Sequence, residues 1–483
     1  MEQHAWINGE WVQGAGRRRE LINPATGEIM QTIQETSEEQ TEAAIEAAHQ
    51  AFYYSDWSKD QKLRVKVMNQ LADLMDLEKE ALAKIETENT GKPIKEARID
   101  VEDSIACLRY YAHFIEEETP WQKEMEDGTV SRVIREPVGV CGLIVPWNFP
   151  LLLGMWKLAP ALAAGNTIVF KPSEWTPLSF IKLAGLIHQS GMPKGVFNLI
   201  LGAGDPVGKT IVESDKVNKI SFTGGSETGK RINEQCARSL KRVSLELGGK
   251  SPLLVLEDAD LDLAAEWAAY GAFFNQGEVC VASSRILVQD KIYQAFIERL
   301  AEKASFIQIG DPLNERTEMG PLISAEHVEK VTGYISKGLS EGASLLYGGK
   351  TLKQPGYFLQ PTIFADVTQD MQIVQEEIFG PVVTIQSFQD EAEAIRLANG
   401  TKFGLAAGIL SADEEKAAEI AAKLQAGTIW INSYHTPYVE TSWGGYKQSG
   451  IGRELGPQGY YGFTETKHIN SRREIEKLGW CGF

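Results

Sequence analysis

The chain has 483 residues, of which 43% are hydrophobic and 24% charged. That is too long for one ordinary core and too apolar for disorder, so two or three globular domains are expected. Acidic residues (66) outnumber basic ones (48), for a net charge of −18; with no Lys/Arg-rich run, this excludes nucleic acid and anionic membrane as partners.

Residues 1–6 carry neither a basic nor an apolar stretch, so no secretory signal is expected. Segment 11–33 reads as short strands around a turn at Asn23-Pro24-Ala25-Thr26-Gly27, and 38–118 has helical periodicity, as at Leu63, Val67, Leu71 and Leu74. Residues 132–135 read as a strand. Strands at 140–145, 167–170, 197–201, 219–223 and 243–247 then alternate with helices at 151–164 and 177–189 and with helices starting at Pro206 and Ser226. Such alternation implies right-handed crossovers and a parallel, doubly wound α/β sheet, with a ligand beyond the carboxyl ends of its strands. The apolar stretch from Leu151 is broken by Lys157 and Asn166 and falls short of a membrane span. A second α/β alternation runs over 251–448, with helices at 263–272, 291–304 and 324–341. The two halves are expected to meet at the site.

Five cysteines (Cys107, Cys141, Cys236, Cys280, Cys481) are scattered without CxxC or Cys/His spacing. They indicate free thiols in a reducing cytoplasm and no metal site. Cys280 ends the run Asn275-Gln276-Gly277-Glu278-Val279-Cys280, and Glu246 opens Glu246-Leu247-Gly248-Gly249-Lys250. A thiol that attacks a carbonyl and a carboxylate that later activates water are the parts of a covalent acyl-transfer site. Singly, each also reads as a buried small hydrophobe and a paired core acid.

Two glycine-rich turns follow strands. Gly202–Gly208 has one residue too many for a dinucleotide fingerprint, and Gly224-Gly225-Ser226-Glu227-Thr228-Gly229 opens a helix whose N–H groups suit a pyrophosphate. Either could equally be an ordinary strand-to-helix turn. Lys171 and Glu174, at another strand end, could hold ribose hydroxyls or form a solvated ion pair; a carboxylate there favours NAD over NADP. Asn148, in Pro146-Trp147-Asn148-Phe149-Pro150, can donate to an oxyanion or make an Asx turn.

Taken together, these segments resemble the NAD(P)-dependent aldehyde dehydrogenase superfamily. The likeness spans nearly the whole chain. It continues through Glu376-Glu377-Ile378-Phe379-Gly380-Pro381 and the segment from Trp443-Gly444-Gly445 to Gly452-Arg453-Glu454. It implies Cys280 as nucleophile, Glu246 as general base, Asn148 with the Cys280 N–H as oxyanion donors, and Glu454 as a proton-relay acid. It assigns cofactor binding to Trp147, Lys171, Glu174, Gly204, Gly208, Phe222, Gly224, Gly225, Ser226, Gly229, Gly248, Glu377 and Phe379. Two departures stand out: Gly225 replaces a common Ser, and Glu278 a commoner Gln.

The implied reaction is NAD-dependent oxidation of a small aldehyde to an acid through a Cys280 thioester. Phe149, Trp156 and Trp443 could form an aromatic cage for a quaternary ammonium. The strings around them most resemble the betaine aldehyde branch. An ω-aminoaldehyde such as 4-aminobutanal, or a broad aliphatic or aromatic range, are the alternatives. A non-catalytic structural protein of the same fold would be expected to lack Cys280 or Glu246.

The resemblance divides the chain into an NAD-binding domain (1–120 and 140–247), a catalytic domain (248–448), and a small β oligomerisation element with the tail (121–139 and 449–483). A homodimer or homotetramer is expected, because a projecting hairpin leaves unpaired edges.

Overall fold

Val140–Ile144, Thr167–Lys171, Phe197–Leu199 and Lys219–Thr223 are buried at every position. A strand covered on both faces has no solvent side, so Val140–Ile144 runs apolar without alternation, while the polar residues of Lys219–Thr223 are buried too and Lys219 donates to Ser244 Oγ (2.6 Å). In the computed structural model, which describes residues 5–475 and 480, these four and Arg242–Glu246 form the parallel centre of an eight-stranded sheet. In chain order the five lie 3-2-1-4-5. The order reverses beside Val140–Ile144, and that switch point opens a crevice at the carboxyl edge. Ala5–Ile7 and Glu10–Val12 extend one side; Gly450–Ile451, inside the expected C-terminal element, pairs antiparallel with Arg242–Glu246 on the other.

Four helices precede the five parallel strands in the chain: Glu38–Tyr54, Gln61–Leu77, Lys79–Thr90 and Ile94–Glu117. The first starts with a capping box between Ser37 and Gln40. The periodic residues Val67 and Leu71 enter the core, where α-helical spacing places them on one face; Leu63 and Leu74 pack against it half-buried. The helix expected from Pro206 is shorter, at Lys209–Glu213. Ahead of it Asp205 is extended (φ −119°, ψ 124°) and Pro206 has no N–H, so helical bonding settles only later.

A second, seven-stranded sheet is parallel apart from its edge strand Ser344–Tyr347. Residues 247–251 join the two sheets, leading from Arg242–Glu246 directly into Pro252–Val255. A three-stranded antiparallel sheet stands apart. Val130–Pro137 is its centre, with Trp121–Glu124 on one side and Thr464–Ser471 on the other, in register from Thr464↔Pro137 to Ser471↔Val130. Residues 1–4 of the N-terminus and Cys481, Gly482 and Phe483 of the tail lie outside the described residues. Among the described residues, no helix is long and apolar enough to cross a membrane.

Candidate active site

A groove of about 820 Å³ follows the carboxyl edge of the first sheet and is closed by the second half of the chain. The strand ends contribute Trp147 and Asn148, Lys171 and Glu174, Gly204 and Gly208, then Phe222, Gly224 and Gly225; the far wall adds Gly248, Cys280, Glu377 and Phe379. Residues more than 200 positions apart thus share one cavity. Ser226 and Gly229 do not line it. Ser226 opens the helix Ser226–Ala237, and Gly229 packs that helix on Leu247. Cys280 is half-buried at the groove wall, whereas Cys107, Cys141 and Cys236 are buried.

The loop carrying the thiol is wound unusually. Asn275, Gln276 and Gly277 have φ of +45°, +56° and +69° in succession. Side chains disfavour that region, so the turn needs outside support. Glu96 supplies it by accepting the Asn275 N–H (3.1 Å). The Asn275 amide donates in turn to the carbonyls of Asn148 (3.2 Å) and Glu278 (3.3 Å). Gly277 lies against the Phe379 turn: a Cβ there would stand 2.4 Å from the Gly380 carbonyl.

Asn148 Nδ2 donates to the Glu278 carbonyl (2.8 Å), which fixes the amide orientation and leaves its second hydrogen for another acceptor. Burial, with the charges of Glu377 and Glu246, pushes the Cys280 thiol up to about 12. Glu246 ends its strand fully enclosed, and neither carboxylate oxygen has a hydrogen-bond partner among the described residues. Burial and then the Glu454 charge raise it well above the ordinary carboxylate range, against Lys157 and Arg453. Glu454 is also buried; it pairs with Lys157 and accepts from Ser221 (3.4 Å).

Lys171 is anchored to the Gly202 carbonyl (2.8 Å) and lies 3.9 Å from Glu174. Glu377 accepts the Gly249 N–H (3.0 Å), and a Cβ on Gly248 would fall 2.2 Å from its Oε2. Only glycine at 248 lets that carboxylate approach. Three groups fit a dinucleotide: a buried lysine beside a carboxylate, a helix opening onto the groove at Gly225, and a second carboxylate next to the thiol. Among the described residues no cluster of His, Cys, Asp or Glu could hold a metal.

The three expected cage aromatics divide. Trp156 and Trp443 meet edge to face at 5.2 Å, with Trp430 6.0 Å from Trp443. Phe149 lies nearly parallel to Phe274 at 6.3 Å, and the buried Lys92 ammonium, paired with Asp100, sits 3.8 Å over its ring. Part of the Phe149 π-surface therefore already holds a cation. His435 donates from Nε2 to the Gly271 carbonyl (3.0 Å), so that nitrogen is not a base for Cys280.

The sequence did not single out His327 or Lys330, which line the groove from the helix Ala325–Glu341. On a charged, amphipathic stretch they read as a solvated face. Glu278 was the available signal, since an acid in so apolar a run requires a partner.

The model of the aldehyde dehydrogenase family matches residues 11–469. Betaine aldehyde dehydrogenase of Bacillus subtilis (strain 168) is 45% identical over 99% of each chain. Human retinaldehyde dehydrogenase 3 is 44% identical over 96% of this chain and 92% of its own. Among solved structures, betaine aldehyde dehydrogenase of Staphylococcus aureus in complex with NAD+ superimposes with a TM-score of 0.97 at 42% identity, covering 99% of this chain and 96% of that one.

Proposed function

Because the chain belongs to the aldehyde dehydrogenase family, we propose that it oxidises a cationic aldehyde, betaine aldehyde first among them, to the acid with NAD as cofactor. One observation carries this reading: Cys280 and Asn148 share a cavity with Lys171, Glu174, Glu377 and Phe379. A thiol and an oxyanion donor thereby adjoin groups suited to two riboses.

Lys171 and Glu174 would hold the adenosine ribose, with the carboxylate disfavouring a 2′-phosphate. Gly204, Gly208 and the turn at Gly224 and Gly225 would admit adenine and pyrophosphate. Glu377, Phe379, Trp147 and Gly248 would hold the nicotinamide half. NAD, when bound, accepts the two electrons of the oxidation. Every other part of the work falls to side chains.

A thiol near 12 is almost wholly protonated at neutral pH, so attack requires proton removal. Glu246 is reserved for the later, hydrolytic step, where its raised affinity for protons makes its ionised form a strong base. The free Asn148 N–H and the Cys280 N–H face the oxyanion formed by attack. A donor of this kind is worth roughly 10²–10³ in rate. Collapse leaves a thioester on Cys280. Glu246 then takes a proton from water, whose oxygen displaces the thiolate, and the Glu454–Lys157 pair receives the proton in turn.

Trp156, Trp443 and Trp430 form a buried aromatic cluster that does not line the groove; a ring face left open to a cationic substrate would contribute about 0.5–2 kcal/mol. Phe149 contributes less in this reading because of Lys92. An ω-aminoaldehyde suits the same rings. Relatedness does not choose among substrates, because a retinaldehyde enzyme is nearly as similar as a betaine aldehyde enzyme. Comparing kcat/KM for betaine aldehyde, 4-aminobutanal, hexanal and benzaldehyde tests the proposal. Betaine aldehyde is expected to lead, and equal or better use of hexanal removes the cationic reading. Cys280→Ala should abolish oxidation while NAD binding persists.

The division into a cofactor domain, a catalytic domain and an oligomerisation element remains part of this proposal, as do assembly into a homo-oligomer and residence in the cytoplasm.

A further inference from the structure

His327 is the third residue of the helix Ala325–Glu341, whose start is capped by Ser324 Oγ accepting the His327 N–H (3.1 Å). Its ring is buried where three segments of the groove meet. Nε2 lies 2.5 Å from the Phe379 carbonyl oxygen. A carbonyl can only accept, so Nε2 carries the hydrogen. The same nitrogen lies 3.6 Å from Glu278 Oε1, a contact without a hydrogen bond; that oxygen accepts the Ile323 N–H (3.0 Å). The ring packs edge-on to Trp147 at 5.3 Å, and Trp147 meets Phe379 at 5.3 Å.

Each neighbour leads to a different part of the chemistry. Phe379 is at the expected nicotinamide end and holds φ +62°, a conformation that a residue with a side chain keeps only under external constraint. Trp147 adjoins Asn148. Glu278 accepts the Asn148 amide on its carbonyl (2.8 Å) and stands two residues before Cys280. Glu278 and His327 therefore join the cofactor wall, the oxyanion donor and the nucleophile loop through one side chain. Burial lowers the His327 imidazole to about 4 and raises Glu278, so the pair meets as neutral groups and its role is geometric.

We infer that His327 is a positioning residue tying the Phe379 turn to the Glu278–Cys280 segment, so that dinucleotide in the groove changes the reactivity of the Cys280 thiol through it. This rests on reading the groove as the NAD site. The competing account is a buried histidine that only stabilises the helix end. That role would alter melting but not the response of the thiol to NAD.

The test uses the full chain and no aldehyde. The rate of Cys280 alkylation by iodoacetamide, followed by mass spectrometry, is measured with and without saturating NAD. NAD affinity is read from tryptophan fluorescence. In the wild type, NAD is expected to change the rate by about fivefold or more, the usual scale of coupling between sites. His327→Leu, which removes the donor, should bring the ratio to within about twofold of unity while NAD still binds; His327→Gln, which keeps an N–H donor, should retain it. If His327→Leu does not fold, His327→Asn, whose amide is too short to span the gap, takes its place with the same expectation.

An undiminished NAD effect in the donor-less variant overturns the inference. So does a loss of the effect in His327→Gln as complete as in His327→Leu. Failure of the wild type to bind NAD would sink the cofactor reading itself; NAD binding without any effect on the wild-type thiol would sink only the coupling.

Discussion

Cys280 poses a conflict between burial and reactivity. Its surroundings hold the thiol up to about 12, although the thiolate is the form that attacks. Below such a value the thiolate fraction grows tenfold per pH unit. In the absence of NAD, alkylation by iodoacetamide should therefore rise about tenfold per unit from pH 7 to 9. A plateau below pH 8 would contradict the assignment. Glu246→Gln removes the base without changing size. A first turnover of NADH followed by steady turnover at least about tenfold slower is expected, as the thioester waits for water; a steady rate equal to wild type would exclude Glu246 from deacylation. Cys280, Glu246 and Asn148 could be singled out as candidates because each sits in a short, characteristic string. His327 was not, because a single histidine between charged helix residues has no local signature. Its significance arises only when the helix places it against Phe379 and Glu278.

The loop Asn275–Gly277 is the element on which the site turns. Gly277→Ala asks a side chain to adopt φ +69° and to stand 2.4 Å from the Gly380 carbonyl. A cost of at least about 1–2 kcal/mol follows from the backbone conformation. Thermal melting should register it, with a loss of activity larger than the loss of stability explains. Glu96, from the helix Ile94–Glu117, holds the same loop through the Asn275 N–H. Burial raises its carboxyl to about 8 from an ordinary 4.5, and the nearby Lys92 charge reduces but does not cancel the shift. The folded state thus favours the protonated form. This contribution to stability is complete below pH 4.5 and disappears as pH rises through 8. Glu96→Gln keeps an acceptor and removes the titration. Between pH 5 and 8.5 the wild type should lose more unfolding free energy in urea than the variant, by the order of a few kcal/mol. Equal losses would show that Glu96 does not titrate there. The sequence predicted this helix from its period but not its purpose, since a buried acid and an exposed one occupy the same register of a charged helix.

At the scale of the molecule, the sheet of Trp121–Glu124, Val130–Pro137 and Thr464–Ser471 presents two outer strands, with Trp121 51% and Ile469 40% exposed. Open edges and exposed apolar side chains favour a partner. Light scattering is expected to give a multiple of the 53.4 kDa chain, and truncation after Phe463 to lower that multiple while NAD binding persists. An unchanged multiple would place the contact elsewhere. By itself the sequence determined the order of strands and helices and the chemical strings at their ends. Periodicity and glycine placement are local properties, and they are written wherever a strand is buried on both faces or a backbone must pass close to another. The tertiary structure alone decided which distant residues meet: that Lys92 occupies the Phe149 ring, that Gly450–Ile451 closes the first sheet, and that His327 meets Phe379 and Glu278. Such contacts depend on how two independently patterned sheets pack, and no spacing along one chain encodes the distance across the gap between them.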